Sequence, residues 1–433
     1  MSNNVAVAVR VHLSSLGCRL NEAELEQWAG DFLRLGDSVE RQAENADVLI
    51  LNTCAVTSEA VKKSRQRIQR LQRANPEAKV VVSGCYSTLE KPSQLAELGV
   101  DLVVPNTSKD KLVPLTRQTF AQPNMPEGAT APAEFALFKR NRHRAFIKIQ
   151  DGCRYRCTFC IVTVARGSER SRSVVDICNE VRELHQQGIQ EIVLTGVHVG
   201  GYGSDIESDL QTLVESLLRN TEIPRIRFAS VEPWDLSPEF FTLFADSRIM
   251  PHMHLPLQSG SDTVLRRMAR RCKTADFTII CQQLREAVPE FNVTTDIIVG
   301  FPGETEDEWQ ESLAYLQSLP EFGHIHIFTY SEREGTKAAT LPNPVTSNIR
   351  QQRSRELHKI AADQRKSAQA LQLNKIVAVL WERGQLENGQ IRHWGYTPNY
   401  MKVTTLSDVD LTNQILDTRL TAVCDDGMQG QVV

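Results

Sequence analysis

Asp151 to Cys160 reads DGCRYRCTFC, and the spacing of Cys153, Cys157 and Cys160 is Cys-x3-Cys-x2-Cys. Three thiolates so placed can hold three corners of an iron-sulfur cube and leave the fourth iron open, whereas a fully ligated cluster takes four thiolates and mainly moves electrons. An open iron is a reaction site. A structural zinc site would need a fourth ligand; His143 is near in sequence, but the spacing is not the paired Cys-x2-Cys knuckle of zinc folds. Disulfides fit worse, because three close cysteines cannot all pair and no secretory signal opens the chain.

A second trio, Cys18, Cys54 and Cys85, stands in LGCRLN, NTCAVT and SGCYS. Each follows a short β-branched run, so three strands each deliver one cysteine to the loop at their C-terminal end. Backbone N–H groups in such Gly/Asn/Thr turns can donate to cluster sulfurs. The alternative is three small buried apolar residues at strand ends. Cys178, Cys272, Cys281 and Cys424 lie in helical patterns or near the C-terminus and read as ordinary thiols.

The elements that must position these groups are legible in outline. From Val5 to about Val104, VAVAVRVHL, ADVLILNT, AKVVVSG and VDLVV alternate with helical periods, the pattern of a doubly wound, flavodoxin-like α/β domain with ligands at the strand C-terminal edges. Residues 1–108 are assigned to this domain. Residues 109–138, rich in Pro, Thr, Gln and Ala, read as a linker. Residues 139–372 hold a second series, AFIKI, EIVLTG, RIRFAS, HMHLPL, VTTDIIVG and HIHIFTY, separated by amphipathic helices. Six strand-helix repeats predict a partial (βα)6 barrel whose active residues sit at strand C-terminal ends. Residues 373–433 read as a small β-barrel.

The formal net charge of -4 excludes a globally basic nucleic-acid binder, so an RNA partner must be held by local patches. Two are visible: VKKSRQRIQRLQR (Val61–Arg73), with Lys63, Arg67 and Arg70 on one helical stripe, and KRNRHR (Lys139–Arg144). No stretch approaches the eighteen or more apolar residues that span a bilayer, and a cytoplasmic location with no membrane partner is expected.

The first cysteine pattern resembles the radical S-adenosylmethionine (SAM) superfamily. With the second trio, the small β-barrel tail, and TGVHVGGYG, FASVEP, LPLQSGSD, DIIVGFPGE and GYTPNYMKV, nearly the whole chain resembles the radical SAM methylthiotransferases, GYTPNYMKV looking like the core of their RNA-binding TRAM barrel. The resemblance implies two 4Fe-4S clusters and SAM: Cys153, Cys157 and Cys160 make the radical, and Cys18, Cys54 and Cys85 hold the sulfur source. Phe159 can lie against the adenine of SAM, Gly196 permits close backbone approach, and Ser230, Glu232, Gln258 and Asp296 stand at strand ends where they can bind its polar groups. An electron donor such as flavodoxin or ferredoxin is implied.

LGCRLNEAELE, NTCAVT and QDGCRYRCTFCIVTVARG look most like the branch acting on N6-threonylcarbamoyladenosine in the tRNA anticodon stem-loop. That substrate bears a carboxylate, for which Arg19, Arg166 and Arg333 are candidates. Isopentenyladenosine tRNA, a ribosomal-protein aspartate, and a non-catalytic Fe-S RNA-binding role are the alternatives. One feature runs against an RNA-binding tail: Lys375 to Val433 carry five Lys/Arg against seven Asp/Glu. Trp381, Trp394, Tyr396 and Tyr400 can stack on bases or form the barrel core.

Overall fold

The computed structural model describes residues 8–120, 144–319 and 322–433. Residues 5–7 of the first expected strand, residues 121–138 of the linker, and Lys139–His143, which include the proposed fourth zinc ligand, lie outside these.

The first unit comprises β1 (Arg10–Ser15), α1 (Arg19–Arg34), β2 (Ser38–Val39), β3 (Val48–Thr53), α2 (Ser58–Ala74), β4 (Lys79–Gly84), α3 (Cys85–Leu89), α4 (Pro92–Glu97), β5 (Leu102–Val104) and α5 (Leu112–Phe120). Its strands are parallel in the order β2-β1-β3-β4-β5, the flavodoxin-like arrangement expected. Strand β3, VLILNT, is apolar along most of its length because helices cover both faces. On one face Trp28, Phe32 and Leu112 pack on Val11, Ile50 and Val81; on the other Ile68, Leu71 and Leu95 pack on Leu49, Leu51 and Val82. Helix α5 corrects the linker expectation. Leu112 and Val113 join this core, so the N-terminal unit continues to Phe120.

The second unit comprises β6 (Arg144–Lys148), β7 (Gln150–Asp151), α6 (Val162–Arg166), β8 (Arg170–Ser171), α7 (Val174–Gln186), β9 (Glu191–Thr195), α8 (Leu210–Asn220), β10 (Arg225–Phe228), β11 (His252–His254), α9 (Asp262–Arg267), α10 (Thr274–Ala287), β12 (Asn292–Val299), α11 (Glu306–Ser318), β13 (His324–Thr329) and α12 (Ser347–Ala370). Strands β6-β9-β10 and β11-β12-β13 form parallel sheets joined through Ile226–Ile249 and Ser230–His254 bridges. The result is six strands in chain order, curved but not closed. Helix α11 starts where its sequence specifies: Thr305 and Glu308 close a capping box, with bonds of 3.2 and 2.9 Å.

The third unit comprises β14 (Ile376–Trp381), β15 (Gln385–Glu387), β16 (Gln390–Tyr396), β17 (Lys402–Ser407), β18 (Ile415–Cys424) and β19 (Gly427–Val432). Its sheet runs β14-β18-β19-β17-β16-β15, and a β14–β16 pairing closes it. Trp381, Val379, Val403 and Leu420 fill its centre, so Trp381 is core rather than a stacking surface.

GYTPNYMKV does not face solvent. Arg227 donates to the Pro398 carbonyl (3.0 Å), Asn292 to that of Asn399 (2.7 Å), and Arg144 pairs with Glu382 (2.7 Å). These partners sit on β10, β12 and β6, Asn292 and Arg144 being the first residues of their strands. The tail therefore plugs the barrel floor, opposite the cysteine loop. Among the described residues no helix is long and apolar enough to cross a membrane.

Candidate active site

The first trio sits on the loop between the short β7–β8 pair and α6. Gly152 turns the chain with φ of 75°, Cys153 N–H donates to Gly167 O (3.1 Å), and Thr158 is tied to the Arg267 and Met268 carbonyls (2.9 and 3.0 Å). Backbone N–H groups of Tyr155, Val162 and Thr163 point at the Cys153 and Cys160 sulfurs. Burial lifts these thiols to about 12 and about 11, with mutual repulsion adding to it. Only a strong cationic partner turns such a set into thiolates. Arg270 stands 3.9 Å from the Cys157 sulfur, held by Glu232 (2.7 Å) and by stacking on Trp234 (4.3 Å). Three thiols, inward N–H donors and a buried cation fit an anionic iron-sulfur cube.

Zinc is poorly served here. Glu169 and His198 come near Cys153, but His198 spends Nδ1 on Glu169 (2.5 Å) and Nε2 on Asp235 (2.6 Å). Burial opposes charge on this imidazole, yet the two carboxylates outweigh it and raise its pKa. A ring bonded at both nitrogens has no lone pair for a metal. All ten cysteines are free thiols.

The second trio assembles because β1, β3 and β4 are adjacent and parallel, so Cys18, Cys54 and Cys85 leave the same sheet edge. Gly17, at φ of 101°, allows this approach: a Cβ there would lie 2.6 Å from the Cys54 sulfur. Asn106 donates to the Cys85 sulfur (3.8 Å), and Val56 N–H to that of Cys54. Burial, then the charges of Cys18 and Cys85, lifts the Cys54 thiol to about 11. Here too three thiols converge with N–H donors and a nearby cation, Arg166, whose charge reaches Cys54 and Cys85.

One buried network fixes the two trios relative to each other. Glu24 of α1 receives Lys109 and Asn52 (2.9 Å) from its own unit, and Lys148 (3.0 Å) and Arg166 (2.9 Å) from the barrel. Asp151 completes it through Lys148 (2.8 Å) and Arg166 (3.0 Å). Although burial alone would raise them, the surrounding cations hold both carboxyls below their ordinary pKa. Two carboxylates face Lys109, Lys148 and Arg166, with the half-exposed Arg170 also 3.7 Å from Asp151, so positive charge is in excess beside the second trio. That surplus favours an anionic occupant.

Both trios open into a single cavity of about 930 Å³. Phe159, Gly196, Ser230, Glu232, Gln258 and Asp296 all line it. Gly196 has no room for a side chain, since a Cβ would meet Gln150 Oε1 at 2.9 Å. Glu232 is already bound by Arg270, and Asp296 by His254 Nε2 (3.1 Å).

The three arginines expected to receive a substrate carboxylate part company. Arg166 is 1% exposed, with its terminal nitrogens on Glu24, Asp151 and Asn21, so it is a clamp rather than a receptor. Arg333 is likewise corrected: it donates to the Ala55 carbonyl and Ser58, bracing the Cys54 loop, and does not line the cavity. Arg19 does line it, bonded to the Tyr400 hydroxyl (3.1 Å). Arg172 forms an ion pair with Glu180 (2.6 Å). Sequence reading missed Glu24, Arg270 and the histidines His252, His254, His324 and His326, which also line the cavity. The i, i+2 histidines of HMHLPL and HIHIFTY carried a signal, a shared strand face in each.

Residues 147–316 match the Radical SAM superfamily, and residues 10–105 match the family described as "Uncharacterized protein family UPF0004". The chain is 34% identical to "Threonylcarbamoyladenosine tRNA methylthiotransferase MtaB" of Bacillus subtilis (strain 168), covering 95% of this chain and 93% of the relative. It is 31% identical to a "tRNA-2-methylthio-N(6)-dimethylallyladenosine synthase" of Staphylococcus epidermidis, covering 94% and 82%. Among solved structures, the radical S-adenosylmethionine methyltransferase TsrM of Kitasatospora setae superposes with a TM-score of 0.58 at 14% identity, over 77% of each chain. That likeness is one of fold.

Proposed function

Since the chain belongs to the radical SAM methylthiotransferase family, we propose that it inserts a methylthio group at C2 of N6-threonylcarbamoyladenosine beside the anticodon of tRNA, using two SAM molecules and two 4Fe-4S clusters. The observation that carries this reading is the convergence of both trios on one cavity. A non-catalytic RNA-binding protein has no need of two incompletely ligated clusters facing a shared space. When bound, the first cluster supplies the electron for reductive cleavage of SAM, and the second supplies the sulfur.

The chain's own residues orient these partners. Cys153, Cys157 and Cys160 hold one group at the barrel mouth, and Phe159, Gly196, Ser230 and Gln258 form the adjoining wall for SAM. Arg166 and Glu24 set the distance from Cys18, Cys54 and Cys85. A substrate carbon bound between the trios reaches both without leaving the cavity, so positioning rather than acid-base chemistry is the protein's main contribution. Relatives 32% to 35% identical over 85% to 97% of the chain are threonylcarbamoyladenosine tRNA methylthiotransferases, which favours that substrate.

The test is anaerobic reconstitution with iron, sulfide, SAM and dithionite, followed by nucleoside mass spectrometry of the tRNA. 5'-Deoxyadenosine and 2-methylthio-N6-threonylcarbamoyladenosine are expected. Methylthiolation only of isopentenyladenosine tRNA or of a ribosomal-protein aspartate would reassign the substrate, and absence of 5'-deoxyadenosine would reject the enzyme.

For tRNA grip the acidic tail is a poor candidate, and α2 is better placed. Its Lys62, Lys63, Arg70 and Arg73 are exposed, and the helix starts just past Cys54. Reversing Lys63, Arg67 and Arg70 to Glu is expected to weaken tRNA binding and flatten its salt dependence, read by filter binding across a salt series. Unchanged affinity and slope would exclude α2 from the interface.

A further inference from the structure

Strand β13 is the last strand of the open barrel, and its period of two turns His324, His326 and Phe328 toward the cavity on one face. His326 and Phe328 are exposed there. The imidazoles touch edge to face, His324 to His326 at 4.4 Å and His326 to His254 at 5.3 Å, yet among the described residues none of the four ring nitrogens of His324 and His326 is hydrogen-bonded. Although one edge of the ring is exposed, its partial burial and then the neighbouring histidines lower the His326 pKa, so the ring is a neutral N–H donor at physiological pH.

Helix α12 supplies two more groups to this corner. Arg365 also lines the cavity, lies close enough for its charge to act on His324, and donates to the Asp425 carbonyl (3.3 Å) with no carboxylate in ion-pair reach among the described residues. Gln369 is 6% exposed, lines the same cavity, and its Oε1 has no donor. Of the acids lining this part of the cavity, Asp296 is occupied by His254, whose Nδ1 is in turn held by Thr294 (2.9 Å), and Asp426 is paired with Lys402. Imidazole nitrogens with no protein partner, a cation with no carboxylate in reach and one buried acceptor, Gln369 Oε1, thus face one space, and the buried acceptor costs stability unless a ligand donor completes it.

We propose that β13 and α12 form the subsite for the N6 substituent of the substrate adenosine, and that this corner selects a substituent ending in a carboxylate. Arg365 and a ring N–H of His326 or His324 receive the carboxylate, Gln369 Oε1 accepts an N–H of the carbamoyl link, and Phe328 covers the apolar end. The inference rests on the reading of the substrate as a modified tRNA adenosine. An isoprenoid substituent offers no partner to any of these polar groups. Sites built to hydrogen-bond reject such analogues far more strongly than apolar pockets reject a change of size.

The experiment uses the reconstituted full chain and three anticodon stem-loops, bearing N6-threonylcarbamoyladenosine, its carboxylate methyl ester, or isopentenyladenosine. Binding is read by fluorescence anisotropy and product by mass spectrometry. The wild type is expected to favour the free acid over the ester. Arg365→Met and His326→Ala are expected to reduce kcat/KM for the acid by roughly 10- to 100-fold each, the range for a hydrogen bond to a charged group, and to erase the acid-ester difference in binding. His326→Gln, which keeps an N–H donor, should recover part of the loss, while iron content and circular dichroism confirm that each variant folds. Variants that discriminate acid from ester as the wild type does would overturn the subsite. A wild type inactive on the acid would overturn the underlying substrate reading, a result distinct from the first.

Discussion

A chain in which Cys18, Cys54 and Cys85 are all changed to Ala is expected to keep releasing 5'-deoxyadenosine from SAM while leaving tRNA without any methylthio product. The two trios reside on separate units, one at the edge of the β1-β3-β4 sheet and one on the β7–β8 loop. Each therefore has its own scaffold. Removing the first unit's thiols leaves the inward N–H donors of Tyr155, Val162 and Thr163, Arg270 and the SAM wall in place. The reciprocal variant, Cys157→Ala, is expected to abolish both products, since nothing downstream proceeds without SAM cleavage. Iron analysis and anaerobic absorbance spectra check the result: the triple variant should lose the iron of one site only. Full iron content in the triple variant, or methylthiolated tRNA from it, would reject the two-site account.

Changing Glu24 to Gln is expected to destabilise the protein by roughly 3–5 kcal/mol, the range for breaking a buried ion pair by removing one partner. The carboxylate is 2% exposed and bonds Lys109, Lys148 and Arg166 together. Its loss leaves three buried cations against Asp151 alone. Because Lys109 comes from the first unit and Lys148 and Arg166 from the barrel, the damage falls on the seam that sets the spacing of the trios. Methylthio transfer should therefore fall further than SAM cleavage, read as the ratio of modified tRNA to 5'-deoxyadenosine, together with a lowered unfolding midpoint in urea. A midpoint within experimental error of wild type would show that the network is not a clamp.

This seam also carries a pH consequence. The folded-state pKa of Glu24 and that of Asp151 lie below their ordinary values because of the surrounding cations, although burial opposes it. The stability these groups contribute is present above the unfolded carboxylate range and is lost as pH falls through their folded values. The urea midpoint should decline on acidification in the wild type, with a shallower decline in Glu24→Gln.

Local pattern carried much of the architecture. Apolar runs such as VLILNT and KVVVSG, covered on both faces, announced a parallel sheet, and the six strand runs from AFIKI to HIHIFTY appear in the barrel in chain order. The linker was less legible: LVPLTRQTF contains Pro and two Thr, poor helix formers, yet Leu112 and Val113 bury against Trp28 and Phe32, and that packing outweighs propensity. GYTPNYMKV resembles the core of an RNA-binding barrel, and nothing in its residues signals what else it touches. In the fold its Pro398 and Asn399 carbonyls accept from Arg227 and Asn292 of the barrel.

Short-range spacing sufficed for the loop trio, since Cys153, Cys157 and Cys160 are separated by fewer residues than one element, and strand ends sufficed to put Cys18, Cys54 and Cys85 on one edge. What one-dimensional spacing could not determine was which charged residues are free. Arg19, Arg166 and Arg333 look alike in a string, but the partners that distinguish them lie 142 residues away for the Glu24–Arg166 pair, 278 for Arg333 and Ala55, and 381 for Arg19 and Tyr400. A guanidinium's role depends on what shares its few ångströms. Only the docking of three units around one cavity made Arg166 a clamp and left His324, His326 and Arg365 facing that cavity.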